Sequence, residues 1–275
     1  MSQQSENCTH DCSTCGADCP SRDNVIPKES LAAGSKVKKV IGVISGKGGV
    51  GKSTVTALLA SALSASGKSC AVLDADMTGP SIPRAFGLYE RATASDELLN
   101  PAVTPGGIKV MSLNLLLESP TDPVVWRGPV IAGAVKQFWS EVNWGEVDYM
   151  FVDMPPGTGD VPLTVFQSLP VDGVVVVTTP QDLVGMIVEK AVNMAKMMNV
   201  PVLGLVENMS WFECPDCKNR HFIFGRSRAD STAARLGIAS YAALPVDPEL
   251  AKAEDAGELE GFVREELAPI VKAIQ

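Results

Sequence analysis

Three things are missing from this chain of 275 residues. No apolar run approaches the roughly 20 residues that a helical bilayer span needs. The longest, around Val174 to Val177, has the length of a strand. The opening Met1-Ser2-Gln3-Gln4-Ser5-Glu6-Asn7 has no basic stretch and no apolar core, so no secretory signal is read there. Positive charge is short: 23 Lys and Arg against 32 Asp and Glu leave a net charge of −9. That argues against a nucleic-acid surface, which needs clustered Lys and Arg, although it leaves room for a local patch. No internal repeat is found. Together these absences predict a cytoplasmic protein with neither membrane nor nucleic acid as partner. In that compartment seven cysteines point to metal or redox chemistry before disulfides. With 45% hydrophobic residues, the length suits one large α/β domain better than two small ones.

Residues 1–36 form a polar, cysteine-rich leader with few large apolar side chains, expected to be flexible without bound metal. The body, 37–275, alternates apolar runs with amphipathic stretches. Strands are expected over 40–45, 69–73, 107–113, 148–152, 171–178, 201–206 and 238–244. The run at 171–178 is almost continuously β-branched, as in a strand buried on both faces. Helices are expected over 54–65, 182–198, 226–236, 248–255 and 258–274, with Gly237 as a stop. The region 87–106 reads only as turn-rich. The alternation predicts a doubly wound, mostly parallel α/β sheet.

The densest signal is Gly46-Lys47-Gly48-Gly49-Val50-Gly51-Lys52-Ser53-Thr54, which fits the phosphate-loop pattern G-x-x-x-x-G-K-[ST]. It lies between an apolar strand and a helix. Unpaired N–H groups and the helix dipole converge at such a junction and make it an anion site. Lys52 is expected at the β- and γ-phosphates and the Ser53 hydroxyl at Mg2+. Lys47 adds a second lysine, which by pattern alone is equally a solvated loop residue.

Asp74-Ala75-Asp76 follows the second expected strand, at the phosphate end of the sheet. Carboxylates there order Mg2+ waters or position an attacking water; alternatively both cap the turn into Ser81. Asp153 follows another apolar strand and fits a carboxylate holding Mg2+ through water. The segment Asp153-Met154-Pro155-Pro156-Gly157-Thr158-Gly159-Asp160 reads as a constrained loop able to sense the γ-phosphate.

Cys214-Pro215-Asp216-Cys217 is half of a four-cysteine site, near 211–224. A two-fold homodimer would supply the other half on its axis. Tetrahedral thiolates suit zinc or an iron–sulfur cluster. A redox disulfide or a structural zinc knuckle are the other readings. Cys8, Cys12, Cys15 and Cys19 fall within twelve residues and can wrap one centre, either a 4Fe–4S cluster or zinc, with His10 as a substitute ligand. Cys70 sits in a strand and reads as a small buried hydrophobe.

Lys-Gly-Gly-Val-Gly-Lys-Ser-Thr resembles the deviant Walker A loop of MinD/ParA-type ATPases. That resemblance implies a nucleotide-sandwich homodimer in which Lys47 reaches the partner's nucleotide. Further segments narrow it: D-A-D-M-T-G-P-S-I-P from Asp74, Trp126-Arg127-Gly128-Pro129, D-M-P-P-G-T-G-D from Asp153, T-T-P-Q-D from Thr178, Val206-Glu207-Asn208-Met209-Ser210, and C-P-D-C followed by Phe224-Gly225. Over about 37–250 the chain resembles the Mrp/ApbC group of iron–sulfur carrier ATPases. The resemblance implies a homodimer bridging a 4Fe–4S cluster through Cys214 and Cys217 of both subunits. It also implies ATP binding and slow hydrolysis, coupled to delivery from a cluster-assembly scaffold to apo-proteins. It makes Asp76 the water-orienting residue, with Asp74 supporting the metal shell. Asn208 becomes an adenine contact, although it reads equally as a turn residue, and Pro245 and Asp247 become the second wall of that pocket. A ParA/MinD-type positioning ATPase and a nickel- or zinc-insertion ATPase are the rival readings.

Overall fold

The computed structural model describes residues 27–77, 79, 81–95, 98–117, 128–181 and 184–275. Its strands in chain order are β1 (Lys36–Ser45), β2 (Cys70–Asp74), β3 (Thr93–Ser95), β4 (Leu98–Asn100), β5 (Ala102–Val103), β6 (Lys109–Met111), β7 (Glu146–Asp153), β8 (Gly173–Thr178), β9 (Val202–Glu207), β10 (Phe212–Glu213), β11 (Arg220–His221) and β12 (Tyr241–Ala243). Its helices are α1 (Lys52–Ala65), α2 (Ile82–Ala85), α3 (Gly128–Ser140), α4 (Asp160–Ser168), α5 (Val184–Met197), α6 (Ala229–Leu236), α7 (Pro248–Ala256) and α8 (Ala268–Ile274). The main sheet runs β12-β9-β8-β1-β7-β2-β6-β5, parallel throughout except for the edge strand β5. This is the doubly wound α/β sheet expected.

The parallel order follows from burial. Every residue of β8 and of β2 is buried, and so is β7 from Tyr149 to Asp153. Such strands need a layer on each face, and two apolar clusters lie on opposite sides of the sheet. β1 sits between β7 and β8, so the chain leaves it first to one side and later to the other. Ligands in open α/β sheets bind where strand order reverses, beyond the C-terminal ends. The loop after β1 occupies that position.

Several elements differ from the reading of the sequence. The expected helix over 258–274 is two 3-10 turns, Leu259–Gly261 and Glu265–Leu267, followed by α8. Pro269 lies in the first turn of α8, where its missing N–H costs nothing; in the middle of a long helix it would break a hydrogen bond. The strand expected over 238–244 is only Tyr241–Ala243. Ile238 is used instead to close α6, its N–H bonding the Ala233 carbonyl at 2.9 Å after the left-handed Gly237. The strand at 107–113 shrinks to β6, with a 3-10 turn from Leu113 to Leu115. Helices α3 and α4 were not anticipated. α3 buries Ile131, Ala134, Val135, Phe138 and Trp139, a helical stripe that packs on the sheet.

Residues 27–35, grouped with the leader by composition, pack on the body. The Glu29 N–H bonds the Ser168 carbonyl, and the buried Trp139 indole donates to the Glu29 carbonyl, each at 2.8 Å. Ala32 is buried.

Candidate functional site

The phosphate loop is shaped by what surrounds it. Gly51 precedes α1 at φ 78°, and a Cβ there would lie 2.2 Å from the Asn208 amide nitrogen. A Cβ on Gly46 would lie 2.0 Å from an Ile187 methyl carbon. Both positions therefore demand glycine. Among the described residues, no backbone acceptor meets the N–H groups of Gly48 through Thr54. The first such bond is Val55 N–H to the Gly51 carbonyl, 2.9 Å. The loop thus presents free donors at a helix N-terminus, the donor set that phosphate oxygens require. A cavity of about 220 Å³ opens over it, lined among others by Lys47, Lys52, Ser53, Asp76, Pro156 and Glu254.

Beneath the loop, parallel pairing sets Asp74 of β2 directly beside Asp153 of β7. Lys52 bridges Asp153 to the second acid of D-x-D: its ammonium is 2.7 Å from Asp153 Oδ1 and 3.5 Å from Asp76 Oδ2. Asp153 is fully buried and also accepts from Ser53 Oγ at 2.5 Å and from Thr56 Oγ1 at 2.8 Å. Residues 100 positions apart meet here. Ser53 and Asp153 are adjacent hard oxygen donors at the edge of the phosphate cradle, a set that fits Mg2+.

The two carboxylates of D-x-D part company. Asp76 reaches the cavity. Asp74 points inward, accepting from Ser112 Oγ at 3.0 Å and from the Asp76 N–H at 3.1 Å. Burial, and then the charge of Asp153, push its carboxyl up to about 8, with Lys52 and Ser112 pulling the other way. Asp74 is not among the residues lining the cavity; its bonds run to the Asp76 N–H and to Ser112.

Lys47 donates to the Gln181 side chain of its own chain. Asn208 is buried and its amide donates to the Val50 carbonyl at 3.0 Å, tying the end of β9 to the phosphate loop. Its Oδ1 accepts from the Met209 N–H at 2.9 Å, so it serves the turn as well. Pro245 and Asp247 do not line the phosphate cavity. They border a separate cleft with Trp211, Arg220 and Arg264. Asp247 caps α7 through the Glu249 N–H at 2.8 Å and pairs with Arg264, which explains its carboxylate without a ligand.

Two residues around the cradle had no role assigned from sequence. Glu254 of α7 accepts from Thr54 Oγ1 at 3.0 and 3.1 Å, and burial raises its pKa. Gln181 is the other, visible only as part of T-T-P-Q-D. Neither belongs to a contiguous motif that names its role.

Cys214 and Cys217 lie on the hairpin β10–β11, which emerges just after Asn208. The turn is tight: Lys218 has φ 58°, its N–H bonds the Cys214 carbonyl at 2.9 Å, and the Cys214 N–H bonds the Asn219 carbonyl at 3.0 Å. The backbone N–H groups of Cys217 and Asp216 point at the Cys214 sulfur and hold its pKa below the ordinary thiol value. Donors aimed at a sulfur favour thiolate, the form that binds iron or zinc. His221, which sequence reading left out, brings a third ligand atom to the group. Its signal was the hairpin pairing of Phe212 with His221, which a spacing rule for two cysteines does not include. Cys70 is buried, and burial pushes its thiol up to about 12, consistent with a packing role. Cys8, Cys12, Cys15 and Cys19 lie outside the described residues, as do Trp126, Arg127 and Asp182. No described helix is long and apolar enough to cross a membrane.

Comparison with known proteins places this architecture. An iron–sulfur cluster carrier protein of Methanocaldococcus jannaschii is 43% identical over 278 residues, covering 97% of this chain and 96% of the relative. A solved nucleotide-binding protein from Archaeoglobus fulgidus, in complex with ADP and with cobalt found, is 45% identical. It covers 84% of this chain and 91% of its own, with a TM-score of 0.76. The cell division ATPase MinD of Pyrococcus furiosus shares the fold at 18% identity, with a TM-score of 0.62 over 86% of this chain and 96% of that one. Residues 36–275 match the ParA family, under the description NUBPL iron-transfer P-loop NTPase. The chain belongs to this family of iron-transfer P-loop NTPases.

Proposed function

We propose that this protein carries 4Fe–4S clusters from a cluster-assembly scaffold to apo-proteins, as a homodimer whose grip on the cluster is coupled to ATP binding and slow hydrolysis. One observation carries the coupling. Asn208 touches the phosphate loop through the Val50 carbonyl, and the thiol hairpin begins four residues later. A shift of the loop on nucleotide binding is therefore felt at the base of the hairpin. The names of the relatives, iron–sulfur cluster carriers at more than 40% identity, support the cargo.

In this reading the free N–H groups of 48–54 and Lys52 hold the phosphates. Ser53 and Asp153 would hold Mg2+, which supplies positive charge to the phosphate oxygens. Asp76, the carboxylate facing the cavity, orients the attacking water. Lys52 neutralises charge developing on the γ-phosphate. Lys47, on the cavity rim, completes the partner's site when two protomers close on nucleotide. Cys214 and Cys217 of each protomer give four thiolates on the dimer axis, and their place on a hairpin, Cys214 half-buried and Cys217 exposed, suits release to an acceptor.

Iron and sulfide should be measured per chain after anaerobic reconstitution, in wild type and in Cys214→Ala/Cys217→Ala. The cargo reading expects iron and sulfide that fall in the double variant along with loss of dimer. Equal iron and sulfide in both proteins, or none in either, would refute a cluster held by this pair.

A further inference from the structure

The thiol hairpin carries more than half of a shared site. Cys214, Cys217 and His221 offer two sulfurs and a ring nitrogen that all lie within 4.8 Å of one another in a single chain. We infer that each chain by itself binds one thiophilic divalent cation of the zinc class on Cys214 Sγ, Cys217 Sγ and a His221 ring nitrogen, with the fourth position open.

The geometry is close to what such an ion needs. Zinc–sulfur and zinc–nitrogen bonds of about 2.3 and 2.0 Å put tetrahedral ligand atoms roughly 3.5–3.8 Å apart, so a small closure of the turn suffices. The three ligands span eight residues, and the hairpin already holds them. Pairing of Phe212 with His221 fixes the histidine at the base, and the left-handed turn at Lys218 brings the cysteines back over it. Arg220 stacks on the Trp211 ring, 4.6 Å from its centre, and secures the same strand. Two thiolates and one imidazole are a zinc-type donor set. Among the described residues no fourth His, Cys, Asp or Glu joins the group. A three-ligand site keeps a position for water or for an incoming thiolate, and Cys217 and His221 are exposed. On binding, the ion takes the place of the two thiol protons, which leave to solvent.

The consequence rests on the cluster-carrier reading. The mononuclear ion and the bridging cluster use the same sulfurs, so a chain loaded with one cannot hold the other. His221 is the residue that separates them, because four thiolates from two chains complete a cluster without it.

The test is an anaerobic Co2+ titration followed by Zn2+ displacement. It uses the full-length chain with Cys8→Ser, Cys12→Ser, Cys15→Ser and Cys19→Ser, so that the leader does not contribute. One cobalt per chain, with thiolate charge-transfer and tetrahedral ligand-field absorption and no change in oligomeric state, is expected. His221→Ala should weaken cobalt binding at least about tenfold, the lower end of what losing even an outer-shell partner costs. His221→Cys should retain binding with stronger charge-transfer absorption, which only a residue touching the metal would give. Half an equivalent per chain with dimer formation, full binding indifferent to His221→Ala, or no binding at all would each overturn the assignment. Failure of the carrier reading looks different: wild type and Cys214→Ala/Cys217→Ala then take up equal iron and sulfide on reconstitution, or none, whatever cobalt does.

Discussion

The two ends of this protein's chemistry are built in opposite ways. The phosphate site is made by the core: Lys52 and Asp153 are buried, and their partners come from α1, β7 and the turn after β2. The thiol site is made by a short hairpin, with ligands inside eight residues and much of it exposed. A site drawn from the sheet is rigid and costly to alter. A site on a two-strand hairpin can open, exchange its cargo and be changed with little effect on the fold. The proposed function needs both, joined at one point, and the Asn208 bond to the Val50 carbonyl is the contact it assigns to that junction.

Stability should expose the contrast most strongly. Lys52→Ala strands the buried Asp153 carboxylate and is expected to cost about 3 kcal/mol in urea unfolding, with loss of ATP binding. Cys214→Ala/Cys217→Ala should change stability by no more than about 0.5 kcal/mol. Lys52→Ala should still bind a cluster while losing ATP-dependent delivery. Unchanged delivery by that variant would remove the coupling.

Asn208→Ala cuts the junction. It is expected to cost about 1 kcal/mol for the lost amide hydrogen bonds. ATP should still bind, but adding it should no longer alter the rate of cluster release to a chelator. Release that still responds to ATP would mean the link runs elsewhere.

Asp74→Asn separates the buried carboxylate from Asp76, which lines the cavity. The Asp74 pKa is raised from an ordinary value of about 4 to about 8 in the folded state. Between those values the folded chain holds the extra proton, so this group's stabilising contribution is greatest below about pH 4 and is lost as pH climbs through about 8. The variant lacks that loss. Its stability relative to wild type should rise between pH 4 and 8, read from paired denaturation curves. A difference that is flat with pH would contradict the buried, proton-holding Asp74.

The smallest effect should come from Glu254→Gln. Removing a carboxylate from the phosphate cavity is expected to tighten nucleotide binding a few-fold at low salt, with the gain shrinking as ionic strength rises. Weaker binding would make Glu254 a direct nucleotide contact.

The sequence by itself determined what is contiguous. Nine residues in a row declare the phosphate loop, because donors, glycines and lysine must follow one another to wrap an anion. The β-branched run of β8 declares a strand buried on both faces, and its neighbours declare a parallel sheet. Cys214 and Cys217 declare a close thiol pair by spacing, with metal or redox chemistry both open to it. Tertiary structure decided what depends on meeting. Parallel register set Asp74 against Asp153, which made Asp74 a buried acid and left Asp76 facing the cavity. Packing brought Glu254 and Gln181 to the loop from distant segments. Packing also gave the Asp247 carboxylate its partners, the Glu249 N–H at the start of α7 and Arg264. Hairpin pairing added His221 to the cysteines. Local patterns record the backbone conformation a segment prefers. Which side chains share a charge, a proton or a metal is settled only when the sheet closes and fixes the distances between them.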